Sequence, residues 1–191
     1  MIWGTIMKRE FDTLCHLPAR RIEIEAAPLA DIPDLLSRTA VEIPSLAASQ
    51  AAVLRVQERN PESIWAFRRS GTVVGIYAML LLNAAGLEQL LAGTLAFADP
   101  PSDCLSEPRE PVAAIYKWAV VARGLASEGI HAMSRHLQGE PYATANLYAR
   151  AVGPAAQRLD FNLGFRPIRP GSEMLVYIRM RNRALPSPIA A

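Results

Sequence analysis

The stretch Tyr148-Ala-Arg-Ala-Val-Gly-Pro-Ala-Ala-Gln-Arg-Leu-Asp-Phe-Asn-Leu-Gly-Phe-Arg-Pro-Ile168 decides the fold. It begins inside an apolar run, residues 146–152, that has the length and composition of a strand. Gly153-Pro154 then opens a helix, because proline suits a first turn whose N–H groups have no intrahelical partner. Leu163-Gly164 closes it, glycine being the residue that most readily takes the left-handed conformation at a helix end. Residues 165–169 and 173–180 follow as two short strands around Pro170-Gly171.

Upstream, residues 112–121 predict a buried strand, and residues 125–137 predict a helix with Leu125, Gly129, Met133 and Leu137 along one face. Strand, helix, strand in that order implies parallel pairing with a right-handed crossover. Further back, residues 63–69 and 72–82 are apolar runs joined by Ser70-Gly71, a connection short enough for an antiparallel hairpin. The second run is apolar on both faces and is expected at the centre of the sheet. The alternation Arg-Ile-Glu-Ile-Glu from Arg21 predicts a half-buried strand. Two helices are expected after it, one carrying Ile32, Leu35 and Leu36, the other opened by Pro44-Ser45 and stopped by Asn60-Pro61.

The expected fold is therefore α/β, with a mixed, mostly antiparallel central sheet, a parallel β-α-β unit and helices on both faces. Residues 1–20 are expected as an N-terminal arm, 21–181 as a single domain and 182–191 as a tail. Residues 83–111 form an insertion within that domain. It has a helix carrying Leu87, Leu90, Leu91 and Leu95, and then a segment, 99–111, rich in proline and expected to be loop.

Composition narrows the function. Apolar residues make up 51% and charged residues 20%, as in a globular domain. Twenty basic and 18 acidic residues leave a net charge of +2, too little and too dispersed for a nucleic-acid-binding surface. Cys15 and Cys104 lack the neighbours a zinc site needs. No apolar run approaches the roughly 20 residues that span a bilayer. The expectation is a cytoplasmic protein with no metal, no nucleic-acid partner and no membrane contact.

From about residue 21 to residue 181, the order of elements ending in Gly164-Phe165 resembles that of the GNAT superfamily of N-acyltransferases. That resemblance implies an acyl-coenzyme A co-substrate, most simply acetyl-CoA. The strand before the central helix would splay from its neighbour and hold the pantetheine arm, with Val120 and Val121 giving backbone contacts. The turn into the helix would carry Arg/Gln-x-x-Gly-x-Gly/Ala, an anion site built from free amides and the helix dipole. On this chain the pattern falls on residues 121–132. Arg123, Gly124, Gly129, Ile130, His131 and Ala132 are the candidate cradle, while Ala126 stands where Arg or Gln is expected and His131 where a small residue is expected. Glu128 beside the cradle opposes a phosphate. The donor motif is thus degenerate.

Many members of that superfamily carry a tyrosine four residues before the Gly of Gly-Phe, placed to protonate the leaving thiolate. This chain has Asp160 there. Asp160 serves as a general acid only where burial raises its pKa, and otherwise is a solvated helix residue. Tyr148 is the second candidate for proton transfer. Two functional readings follow. One is an N-acyltransferase acting on a small-molecule or peptide amine; the other is a catalytically inactive GNAT-like binding or regulatory module. A third has the leucines of residues 87–95 hold a fatty chain, against a helix simply packed on the core. A homodimer is an open possibility, and the acceptor is not encoded in any shared motif.

Overall fold

The computed structural model describes residues 22–42, 48–122, 124–151 and 153–179. The expected arm and the whole of the expected tail lie outside them, as do Pro44-Ser45. Seven strands form one sheet: β1 (Glu23–Ala26), β2 (Ile64–Arg69), β3 (Thr72–Leu82), β4 (Ala114–Ala122), β5 (Asn146–Arg150), β6 (Arg166–Pro167) and β7 (Met174–Tyr177), in the order β1-β2-β3-β4-β5-β7-β6. Every neighbouring pair is antiparallel except β4 and β5, which run parallel. The fold is the one expected.

Five α-helices cover the sheet: α1 (Ile32–Glu42), α2 (Gln50–Arg59), α3 (Ala84–Ala92), α4 (Ser127–His136) and α5 (Pro154–Asn162). Alternation along the strands divides the core into two faces. Trp65, Phe67, Met79, Leu81, Ile115, Leu147 and Ala149 pack with Ile130 and Met133 of α4 on one face. Leu80, Leu82, Ala114, Tyr116 and Tyr148 meet α2 and α3 on the other, where Ile64, Ile76 and Ala78 pack with α1.

Local signals account for most boundaries. The β2–β3 hairpin turns through Ser70 and Gly71, at φ 50° and 78°. Two consecutive positive φ values make the turn whose twist matches that of the flanking strands. Helix α2 begins later than Pro44-Ser45 predicted, at Gln50, because the Ser49 hydroxyl accepts from the Ala52 amide and caps it there. Asn83 does the same for α3 through the Gly86 amide, and Gly93 ends that helix in the left-handed conformation.

The proline-rich segment is more fixed than its composition predicts. Leu105 bridges to Leu82, the Ser106 amide donates to the Leu81 carbonyl at 2.8 Å, and Cys104 is fully buried. Leu90 and Leu95 pack beside Cys104 and Leu105, with Leu87 at the margin of the same cluster. They complete a core beside β3 and β4, as a helix simply packed on the core would. Among the described residues no helix is long and apolar enough to cross a membrane.

Candidate active site

The parallel pair opens partway along its length. β4 and β5 are in register from Ala114↔Asn146 to Lys117↔Ala149, and β4 then continues to Ala122 with no partner on that side among the described residues. On its other edge β4 stays paired with β3 as far as Ala122↔Gly75. That ladder slips one residue, since Ala78 faces Ala119 while Met79 faces Lys117. Trp118 is therefore an extra residue, a bulge that sharpens the local twist and turns the rest of β4 away from β5. Residues 118–122 present about 16 Å of free strand edge, at about 3.3 Å per residue.

Helices α4 and α5 flank this opening on one face. Between them lies a cleft of about 190 Å³, bordered by Lys117 and Val120 of β4, Ile130, His131 and Ser134 of α4, and Leu159 and Leu163 of α5, with Tyr77, Phe165, Tyr177 and Arg179 around it. On the opposite face the bulge residue Trp118 and its neighbour Ala119 border a small apolar cavity of about 30 Å³ beneath α1 and α2.

A buried ion pair crosses the cleft. The Lys117 ammonium donates to Oδ1 of Asp160, whose side chain has no exposed surface, while that of Lys117 keeps 13%. Oδ2 of Asp160 is buried with no hydrogen-bond partner among the described residues. The Lys117 nitrogen also lies 5.4 Å from the centre of the Phe165 ring, the aromatic residue of Gly164-Phe165. Burial lowers the Lys117 pKa, and the Asp160 carboxylate opposes that shift. Tyr77 is also buried, and desolvation, with Asp160 adding to it, raises its pKa. Arg179 braces one wall, donating to the carbonyls of Leu137 at 2.6 Å and Ala145 at 3.3 Å.

The residues singled out in the sequence distribute unevenly about this cleft. Val120, Ile130 and His131 border it. Asp160 lies against it, as a buried ion-paired group rather than a solvated helix residue. Val121 pairs with Ile76 and, next to the cleft-facing Val120, points to the other side of the strand. Gly124 starts the 3-10 turn Gly124–Ala126 at φ 54°, ahead of α4. Arg123 lies outside the described residues.

Gly129 packs tightly against the sheet. A Cβ there would stand 2.5 Å from Phe67 ring atoms, so only glycine lets the helix sit this close. Ala126 is 3% exposed and lies against Gly75, so the long polar side chain of the expected pattern has no room at that position. Ala132 is half-buried and does not border the cleft. Tyr148 faces away from α4 and α5, in register with Tyr116 and buried with Leu80 and Leu82. Asp160 and Tyr148 are therefore on opposite faces of the sheet and do not form one group.

The residue that the sequence reading missed is Lys117. It was submerged in a run whose other members read as strand core. A signal existed: the chain has only two lysines, Lys8 and Lys117, against eighteen arginines. A lone charge in a buried strand also requires a partner.

A mostly antiparallel sheet with helices on both faces, and one parallel pair parted beside the start of a helix, defines a class of α/β fold. In particular, the chain has the GNAT fold. A GNAT-family acetyltransferase from Listeria monocytogenes 4b F2365 matches with a TM-score of 0.50 at 14% identity, over 82% of this chain and 92% of that one. The loading GNATL domain of CurA from Lyngbya majuscula also gives 0.50, at 11% identity, over 72% and 68%. The GphF GNAT-like decarboxylase in complex with isobutyryl-CoA gives 0.48 at 18% identity, over 73% and 71%. At such identities the likeness is one of fold. No protein-family model matches the chain, and neither does any curated protein.

Proposed function

We propose that this protein transfers an acyl group, most simply acetyl, from coenzyme A to an amine. The observation that carries this reading is the unpaired edge of β4 from Trp118 onward, beside the cleft between α4 and α5. A pantetheine arm is an extended chain with two amides, and it would hydrogen-bond to that edge as an added strand does. Its pyrophosphate would lie at the turn from Gly124 into α4, where free amides and the helix dipole favour an anion. Arg123 adds a positive charge in the adjoining sequence, and Glu128 in the first turn of α4 works against it.

In that arrangement the acceptor nitrogen attacks the thioester carbonyl, the carbon–sulfur bond breaks and the thiolate takes a proton. Asp160 and Lys117 form the proton-holding pair nearest the end of the slot. Tyr148 belongs to the other face, one position before the last rung of the parallel ladder. Burial raises its pKa, so it stays protonated at neutral pH and can donate there. The acceptor, a small-molecule or peptide amine, would approach from the face of α1 and α2, where the bulge opens on an apolar cavity.

A second reading, a GNAT-like module that binds without catalysis, draws support from three features at the start of α4. Ala126 provides no side-chain cap, Glu128 is acidic and Gly129 is committed to Phe67. Calorimetric titration with acetyl-CoA separates the outcomes. Binding with Kd below about 1 mM supports a donor site. Absence of heat at that concentration removes the donor and the transfer reaction together. Binding without turnover over a panel of amines favours the module.

A further inference from the structure

We propose that Lys117 is itself an acyl acceptor, so that the protein acylates its own Nζ from a donor seated in the cleft. This rests on the reading of that cleft as an acyl-CoA site.

Geometry sets the direction of the donor. With its pyrophosphate at the start of α4, just beyond the end of β4, the extended arm runs back along residues 118–122 toward the point where β5 rejoins. Lys117 is the last β4 residue paired with β5 and marks the closed end of the slot. Its side chain borders the same cleft. The thioester, at the far end of the arm from the pyrophosphate, thus arrives beside a primary amine.

The choice of residue supports the chemistry. Elsewhere this chain meets its need for positive charge with arginine, eighteen times against two lysines. Arginine cannot lose its proton in a protein, whereas a buried lysine can and then becomes a nucleophile. Burial lowers the Lys117 pKa, so less is needed to free the amine. Its ion-pair partner Asp160 is in place to receive the proton, and Oδ2 of that carboxylate has no other partner among the described residues.

The step balances. An ammonium proton passes to Asp160, and the free Nζ attacks the thioester carbonyl. A carbon–nitrogen bond forms as the carbon–sulfur bond breaks, and the thiolate takes a proton from Asp160. The second amine proton leaves to solvent. The products are an N-acyl lysine, free coenzyme A and one released proton. The amide carries no charge, so the ion pair to Asp160 is lost and β4 is no longer tied to α5 by it.

The test uses the full chain, incubated with acetyl-CoA and mapped by peptide mass spectrometry, with acetyl-CoA binding measured separately by calorimetry. Lys8 is the internal control. Acetylation of Lys117 more than about tenfold faster than of Lys8, and slowed by excess coenzyme A, is expected if the donor is held against it. N-hydroxysuccinimidyl acetate, which needs no cleft, should abolish the preference for Lys117. Asp160→Asn should slow the modification by at least about tenfold, and Asp160→Glu should recover part of it. Binding of acetyl-CoA without preferential modification of Lys117 overturns the inference and leaves the donor site standing. Absence of both overturns the two together. Equal labelling of both lysines would mean ordinary chemical acetylation and overturn the inference as well.

Discussion

The Nζ of Lys117 and the carboxylate of Asp160 join β4 to α5 at the point where β4 and β5 part, across 43 positions of sequence. This pair ties the floor of the cleft to its wall, and it places a titratable group of each sign at the closed end of the opening. Its energetics follow from burial: a charge pair out of water is costly to make and still costlier to halve.

Asp160→Ala should therefore destabilise the protein by about 3 kcal/mol, because it strands Lys117 without its partner. Replacing both residues, Lys117→Met with Asp160→Leu, should recover most of that loss. Urea denaturation of the single and double variants measures it. If the double variant is as unstable as the single one, the cost lies in packing rather than in charge.

Gly129→Ala should cost about 1–3 kcal/mol, since the added methyl is driven into the Phe67 ring. Phe67→Leu in the same chain should restore part of the stability by opening space. A phosphate-cradle role alone predicts a different pattern, with weakened donor binding and an unchanged melting temperature.

Val120→Trp fills the cleft from β4. The expected result is a loss of acetyl-CoA affinity of at least about tenfold, with an unchanged far-UV spectrum, because Val120 is only half-buried and borders open space. Affinity equal to that of the parent protein would move the donor elsewhere.

Stability should decline in alkali through the buried tyrosines. Burial pushes Tyr116 up to about 12 and also raises Tyr77 and Tyr148. The folded protein therefore keeps protons that the unfolded chain releases from about pH 10. This contribution is complete below about pH 10 and is lost as pH rises toward 12. Denaturation midpoints measured across that window should fall, and Tyr116→Phe should flatten the slope. The fall should then be shared by the two tyrosines that remain.

What the sequence by itself determined was whatever short-range chemistry controls. Ser70-Gly71 makes the hairpin turn, Gly153-Pro154 opens α5, and Leu163-Gly164 closes it, each through conformations set within a few residues. The periodicities placed the strands around these points, and their order implied the parallel pair. Asp160 and the start of α4 were visible as positions, but not their surroundings. Tertiary structure alone decided that Asp160 meets Lys117, that Gly129 meets Phe67, and that Tyr148 turns to the opposite face from the cleft. It also decided where β4 leaves β5, because the bulge at Trp118 is a misfit between two strands and exists in neither alone. Burial is a property of neighbours brought from afar. A lysine in an apolar strand becomes a nucleophile or a strut only once the fold has chosen what faces it.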